Sequence, residues 1–334
     1  MADTHLTVET AQQLITAALM AHNVAEDNAK VVAKALVAAE IDGQGGHGFS
    51  RVAAYAAQAH SGKVDGHATP TVEALAPAII RVDAHHGFAF PALERAIDAL
   101  PPLARSHGIA AASVVRSHHC GQLGAVVERL AKEDLLALMV ANTPQAMAPW
   151  GGSRALFGTN PIAFAAPGPE GQALVIELSL SRVARGKVMP AAQRGEAIPE
   201  GWALDAAGRP TTDPQAALQG TMVPAGEAKG AALALMVEVL AATLTGANYS
   251  FEASSFFDAQ GDPPGVGQFL IVVDAAACNP GFGQRLAQLT SAVTAQEGAR
   301  LPGDGRHGRR TAAREQGIPI PSKTLAALKV LAEP

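Results

Sequence analysis

Cysteine is nearly missing: Cys120 and Cys278 are the only two in 334 residues, too few for a disulfide scaffold or a zinc-finger module. Positive charge is also short. The net charge is −5, which argues against a nucleic-acid binder that draws its affinity from phosphate contacts. No apolar run reaches the length of a membrane span; the longest, around Leu233–Leu240, is broken by Glu238. The opening Met-Ala-Asp-Thr-His lacks a basic region followed by an apolar stretch, so no secretory leader is expected and the protein reads as soluble and cytoplasmic. What the chain has is apolar residues, 48% against 16% charged, and length for one large or two medium domains.

Apolar periodicity places a first helix after a Thr7 cap, with Leu14, Ile15, Ala18 and Leu19 on one face, and a second over Ala25–Glu40. Arg51–Gln58 reads as a short helix presenting Arg51 and Tyr55 on one face. Beyond the link Ser61–Pro70 the pattern changes to strands at Ala78–Asp83, Ile109–Val115, Leu135–Val140, Pro161–Ala166, Leu174–Leu178 and Phe269–Asp274. Helices are expected at Pro91–Leu100 and Ala125–Lys132. The longest helix is expected from Gly226 to about Thr245, closed by Gly246 and buried on most sides. Residues 190–224 read as a long irregular excursion, and Leu301–Arg310 as a basic, glycine-rich loop. Helices at both ends around a run of strands imply a helical layer built from both termini and a central α/β domain.

Three loops carry polar chemistry. Gly43–Arg51 holds an imidazole, His47, and a guanidinium, Arg51, in a glycine-rich setting: a proton donor beside a fork for a carboxylate. Gly43-Gln-Gly-Gly-His-Gly48 also fits G-x-G-x-x-G, but a helix precedes it where the dinucleotide motif needs a strand, so the Rossmann reading is rejected. The bland alternative is a flexible turn with a surface histidine. Arg116–Gly124 follows a strand and precedes a helix, the setting for an anion at a helix N-terminus, or simply a strand-exit turn. His118 and His119 are adjacent on an extended chain and point to opposite sides, so no metal is expected. In the third loop, Trp150–Pro161, Thr159 and Asn160 are expected in an extended turn before the proline. Lys229 opens a helix where the dipole disfavours a cation unless an anion joins it. Arg306, Arg309 and Arg310 would suit the 2′-phosphate of NADP or stand as a solvated surface turn.

Taken together, Gly46-His47-Gly48-Phe49-Ser50-Arg51, Ser117-His118-His119-Cys120-Gly121, Gly151-Gly152, Leu156–Ala163, Lys229-Gly230 and Leu301–Asp304 resemble the malate/L-lactate dehydrogenase family with the sulfolactate-dehydrogenase-like fold. Phe157–Phe164, the Leu233–Thr245 helix and Gly246–Glu252 look like its cyclic-ketimine reductase branch. That branch reduces Δ1-piperideine-2-carboxylate and Δ1-pyrroline-2-carboxylate to L-pipecolate and L-proline.

The resemblance implies a non-Rossmann NAD(P)-binding central domain over residues 71–304, a helical domain from 1–70 and 305–334, and a homodimer. It makes His47 and Lys187 the catalytic candidates, and Arg51, Thr159 and Tyr55 the substrate-binding ones. The cofactor would lie along His119, Cys120, Gly121, Gln122 and Leu123, along Glu177, Leu178 and Ser179, and against Lys229, Asp304, Arg306, Arg309 and Arg310. NADPH is the expected cofactor, with NADH possible. The implied activity is NADPH-dependent reduction of cyclic 2-imino carboxylates; the alternatives are a 2-hydroxy-acid dehydrogenase and a cofactor-binding protein with an impaired site. Two departures bear on the choice. Gly46 replaces the serine usual before the catalytic histidine, and Lys187 stands where the ketimine branch carries aspartate.

Overall fold

The computed structural model describes residues 4–168 and 171–333; the first three residues, on which the expectation of no leader partly rests, lie outside the described residues. The chain opens with β1 (Thr4–Leu6), α1 (Val8–Met20) and α2 (Glu26–Ile41). Thr7 caps α1 as expected, its hydroxyl accepting the Thr10 amide at 3.1 Å. Ile15, Ala18 and Leu19 of α1 and Val32, Leu36 and Val37 of α2 are buried at helical spacing, so each helix turns one apolar face inward. Two 3₁₀ turns, Gly45–His47 and Phe49–Arg51, lead into α3 (Val52–His60).

The central layer then begins: β2 (Thr71–Ala76), β3 (Ile79–Asp83), α4 (Ala89–His107), β4 (Ile109–Ser117), α5 (Leu123–Ala131), β5 (Leu135–Ala141), β6 (Ile162–Ala166) and β7 (Leu174–Leu178). A smaller unit follows: α6 (Arg185–Arg194), β8 (Ala203–Leu204), β9 (Pro210–Thr211), α7 (Pro214–Gln219) and β10 (Thr221–Met222). Next, α8 (Ala228–Glu238) runs into a π-helical turn, Val239–Thr243. The chain ends with β11 (Val266–Asp274), α9 (Ala275–Cys278), α10 (Phe282–Thr294), α11 (Gly305–Gln316), β12 (Ile318–Ile320) and α12 (Ser322–Leu331).

Seven strands form one sheet in the order β2-β3-β4-β11-β5-β6-β7. Among the described residues of this sheet only β3 and β4 pair in parallel; the late strand β11 inserts antiparallel to both β4 and β5. A doubly wound nucleotide fold needs successive parallel crossovers at that place, so the sheet is not Rossmann-like. Leu93 and Leu100 of α4 and Leu123 and Leu130 of α5 cover it over Val114, Met139 and Leu270. Each such fully buried side chain contributes roughly 2 kcal/mol. A second core joins the two ends of the chain: Ile15, Leu36, Tyr55 and Phe88 pack with Ile318, Ile320 and Leu328. There β1 and β12 pair antiparallel, Thr4 opposite Ile320 and Leu6 opposite Ile318.

The structure corrects several expectations. Residues 190–224 are not irregular: they carry α7 and a three-stranded sheet, β10-β8-β9, whose two-residue strands are too short to show alternation. The Leu301–Arg310 segment is a loop only to Asp304, because α11 starts at Gly305 and takes in Arg306, Arg309 and Arg310. The longest helix is α4, 19 residues, which runs on through Pro101 and Pro102. The helix expected to be buried leaves Leu235, Met236, Val239 and Leu244 about half exposed on the single chain. Gly246, with φ +79, closes it as expected.

Candidate active site

Four glycines let the chain after α2 turn tightly. Gly43 takes φ +80, and at Gly48 a Cβ would collide with the Glu40 side chain. Glu40 holds the loop from the helix end, accepting the Phe49 amide at 2.9 Å; burial raises its pKa. His47 is fixed by its own amide, which donates to the Gln44 carbonyl at 2.7 Å. Arg51, only 9% exposed, donates from Nε to the Gly46 carbonyl at 2.7 Å. Its Nη1 and the Nδ1 of His47 are buried with no partner. Orphaned polar atoms on two neighbouring residues are what a bound acid would satisfy.

A side chain at Gly46 would meet nothing within 4 Å, so the missing serine is not a steric necessity. What orients His47 instead is stacking: its ring lies on that of His119, centroids 5.2 Å apart and planes nearly parallel. Burial and then the charge of Arg51 pull the His47 pKa down to about 4.

Tyr55 was expected to touch substrate. It is fully buried, and its hydroxyl meets His119 Nδ1 at 2.5 Å. Burial raises its pKa well above the ordinary value, so the phenol keeps its proton. His118 and His119 were expected to diverge; instead both rings pack against Tyr55 and Phe256. The reason is that β4 ends at Ser117, so strand alternation no longer applies. Burial also lowers both histidine pKa values, that of His118 to about 3. Among the described residues no cluster of side chains suits a metal ion.

The arginines are placed differently from expectation. Arg306 and Arg310 face inward on two buried carboxylates, Asp42 and Glu128. Arg310 reaches both Asp42 oxygens at 2.7 Å and the Glu128 oxygens at 2.6 and 2.7 Å; Arg306 lies 3.3 Å from Asp42 and 3.8 Å from Glu128. Burial opposes ionisation of Glu128, but Arg310 and then Lys132 hold it down at about 2. Two guanidiniums so engaged are not free to read a phosphate. Arg309 is exposed, beside Gly43, with no ion-pair partner among the described residues. Gln122, in the expected cofactor segment, donates to the same Asp42 at 2.9 Å. Cys120 is a buried thiol, its pKa pushed up to about 12 by burial.

The helix N-terminus expected to receive an anion already faces one. The Glu177 carboxylate faces the amides of Leu123 and Gly124 and accepts from the Gln44 amide group at 2.9 Å, while burial raises its pKa. The end of β7 thereby joins two groups of expected residues. On its far side Ser179 and Leu180 lie against Thr159, whose carbonyl accepts the Leu180 amide at 2.8 Å, and Leu180 in turn accepts the Ala225 amide near Lys229. Leu178, Lys229 and Asp304 are exposed. Asp304 lines a cavity of about 130 Å³ together with Val175, Gly303, Arg306 and His307. Asn160 is not extended: it has φ +39, because its amide reaches inward to the Ala234 carbonyl and the buried Glu238 carboxylate at 3.0 and 2.8 Å. Lys187 stands exposed on the first turn of α6, and no hydrogen bond joins it to His47 among the described residues. Asp42, Gln44, Gln58, Lys63 and Glu128 were not foreseen. Asp42 had a signal, a carboxylate directly before the glycine loop.

The sequence model for malate/L-lactate dehydrogenase matches residues 6–329. The (2R)-3-sulfolactate dehydrogenase (NADP(+)) of Chromohalobacter salexigens is 52% identical, with 98% of each chain covered. A Δ1-pyrroline-2-carboxylate/Δ1-piperideine-2-carboxylate reductase of Pseudomonas putida is 42% identical over 96% of this chain and 94% of the other. Among solved structures, the Δ1-piperideine-2-carboxylate reductase of Pseudomonas syringae pvar. tomato superposes with a TM-score of 0.93 at 38% identity, covering 98% and 99%. The sulfolactate dehydrogenase of Methanocaldococcus jannaschii gives 0.89 at 27%, covering 98% and 96%.

Proposed function

The chain belongs to the malate/L-lactate dehydrogenase family and is an NAD(P)-dependent oxidoreductase, and on that footing we propose that it interconverts a small 2-hydroxy acid and its 2-oxo acid with NADP(H). An acid of the 3-sulfolactate type leads, after the relative at 52% identity. The observation that carries the choice is the charge around His47. Its close neighbours are Arg51 and the neutral rings of His119 and, behind it, Tyr55. The carboxylates nearby are each engaged elsewhere: Glu40 with the Phe49 amide, Asp42 with Arg310, Glu177 with the start of α5. Such a site stabilises a developing alkoxide; a cyclic iminium would call for a facing carboxylate.

The residues present fit a dinucleotide. Leu178, Lys229, Asp304 and Arg309 are exposed and Ser179 is half-buried; Arg309, with no ion-pair partner among the described residues, is the cation for a 2′-phosphate. When bound, the cofactor supplies or accepts the hydride at substrate C2. Arg51 holds the carboxylate through its free guanidinium edge, setting C2 for attack. With its pKa near 4, His47 is neutral at pH 7 and takes the hydroxyl proton in the oxidative direction. Burial is the larger cause of the low His47 pKa and the Arg51 charge the smaller; in reduction a carboxylate on Arg51 offsets the smaller. Thr159 lines the substrate side, and His119 to Leu123 the cofactor side. The half-exposed apolar row on α8 supports a homodimer, and the division into 1–70 with 305–334 against 71–304 supports a site between two layers.

Cyclic 2-imino carboxylates are the second reading, favoured by the reductases at 42% and 38% identity. A spectrophotometric panel decides: NADPH oxidation with 3-sulfopyruvate, oxaloacetate and pyruvate against Δ1-piperideine-2-carboxylate. The proposal expects the oxo acids to lead by kcat/KM, and a lead for the imine overturns it. Cofactor binding without turnover of any of them would point to an impaired site.

A further inference from the structure

The segment 254–261 is held against the site by an unusual fastening. Lys63 is 3% exposed, and its ammonium donates to three carbonyls of that segment, Ser255 at 2.7 Å, Asp258 at 3.0 Å and Gln260 at 2.6 Å. Three donors meet three acceptors, which is what a buried ammonium needs to offset its desolvation. Gln58 adds a bond to the Phe256 carbonyl at 3.0 Å. Both fastenings come from α3 or just beyond it, the element that follows directly on Arg51. The segment therefore cannot shift without shifting relative to the carboxylate anchor.

What it delivers is an aromatic pair. Phe256 is buried edge-on to His118 and His119, centroids 5.3 and 5.2 Å away. Phe257 lies over the guanidinium of Arg51, 4.6 Å from Cζ to the ring centroid. Arg51 is desolvated and has an unpartnered Nη1, so with Nε on Gly46 the ring is the one contact described for the guanidinium face. A guanidinium packed on an aromatic face gains attraction and loses freedom to rotate out of the plane in which a bidentate carboxylate is gripped.

We propose that Phe257, held by the Lys63 clamp, is a positioning residue that orients Arg51 for the substrate carboxylate. This rests on the reading of Arg51 as the carboxylate anchor. The side chain acts through Arg51, so its loss should weaken binding of the acid group and leave the cofactor untouched.

The test uses the full chain saturated with NADP⁺ and oxalate as a non-reacting acid, with affinity read by titration calorimetry. Phe257→Ala should weaken oxalate about tenfold, with a matching rise in substrate KM, and Phe257→Tyr, which keeps the ring, should recover most of it. Lys63→Met, which frees the segment, should weaken oxalate in the same direction. NADP⁺ affinity should hold throughout. Oxalate affinity unchanged in Phe257→Ala, a Phe257→Tyr as weak as the alanine variant, or equal weakening of NADP⁺ and oxalate would each overturn the proposal. A wild-type protein that binds oxalate in this Phe257-dependent way, yet turns over neither oxo acids nor imines, would sink the functional reading while supporting this one.

Discussion

Lowering the pH should unfold this protein through its buried histidines. His118 and His119 sit as neutral rings in the wall of the site, with pKa values held below the ordinary 6.5 mainly by burial, His118 at about 3. The unfolded chain takes up protons that the folded state refuses. Each ring's contribution is therefore complete above pH 6.5 and is lost as the pH falls from there toward the folded value. From pH 7 to pH 5 the linkage amounts to roughly 2 kcal/mol for His118, and His119 adds in the same direction. Glu40 and Glu177, whose pKa values burial raises, act in the opposite sense. A comparison with His118→Phe removes that complication, since both carboxyls remain. Phenylalanine keeps the edge contacts to Tyr55, Phe88 and Phe256 and loses the 2.7 Å bond to Gln58, which lowers stability at every pH without changing the slope. Urea midpoints at pH 7, 6 and 5 measure it. The variant should lose roughly 2 kcal/mol less than the wild type over that range. Parallel lines for the two proteins would refute the assignment of His118 as a buried neutral ring.

Three further outcomes are expected. His47→Ala should lower turnover by roughly 10²- to 10⁴-fold while NADPH affinity, followed by fluorescence, stays put; undiminished turnover removes His47 from the proton transfer. Arg310→Met leaves Asp42 with Gln122 at 2.9 Å and Arg306 at 3.3 Å, and Glu128 with Lys132 at 3.2 Å and Arg306 at 3.8 Å, and should cost about 3 kcal/mol in urea unfolding; a change below about 1 kcal/mol would mean the cluster contributes little. Arg309→Ala should weaken NADPH about tenfold and NADH hardly at all, and equal losses would show that it does not read the 2′-phosphate.

The helices α1 and α2 and the strands β4, β5 and β11 were legible because their apolar periods are long, and they lie where the pattern placed them, within a few residues; α6, α10 and α11 were not foreseen. The two-residue strands β8, β9 and β10 carry no period at all. The exposed β2 carries no burial signal, and β1 and β12 exist only because they meet each other across the whole chain. The same division holds at the site. His47 and Arg51 could be read from one loop, whereas the partners that shape them arrive from afar: His119 stacks on His47, Phe257 covers Arg51, and Arg310 grips Asp42 across 268 residues. The arginine cluster misled because its local charge excess says nothing of two buried carboxylates elsewhere.

The pairing of β1 with β12, together with the hold of α11 on Asp42, has a consequence for synthesis. Chains emerge from the ribosome front end first, and folding units form as they appear. Here the front end cannot finish until the last few dozen residues are out, since its edge strand and the arginine that locks its reactive turn both belong to them. The middle sheet waits as well, because β4 and β5 are joined only through the late strand β11, and the lock on the reactive turn comes later still.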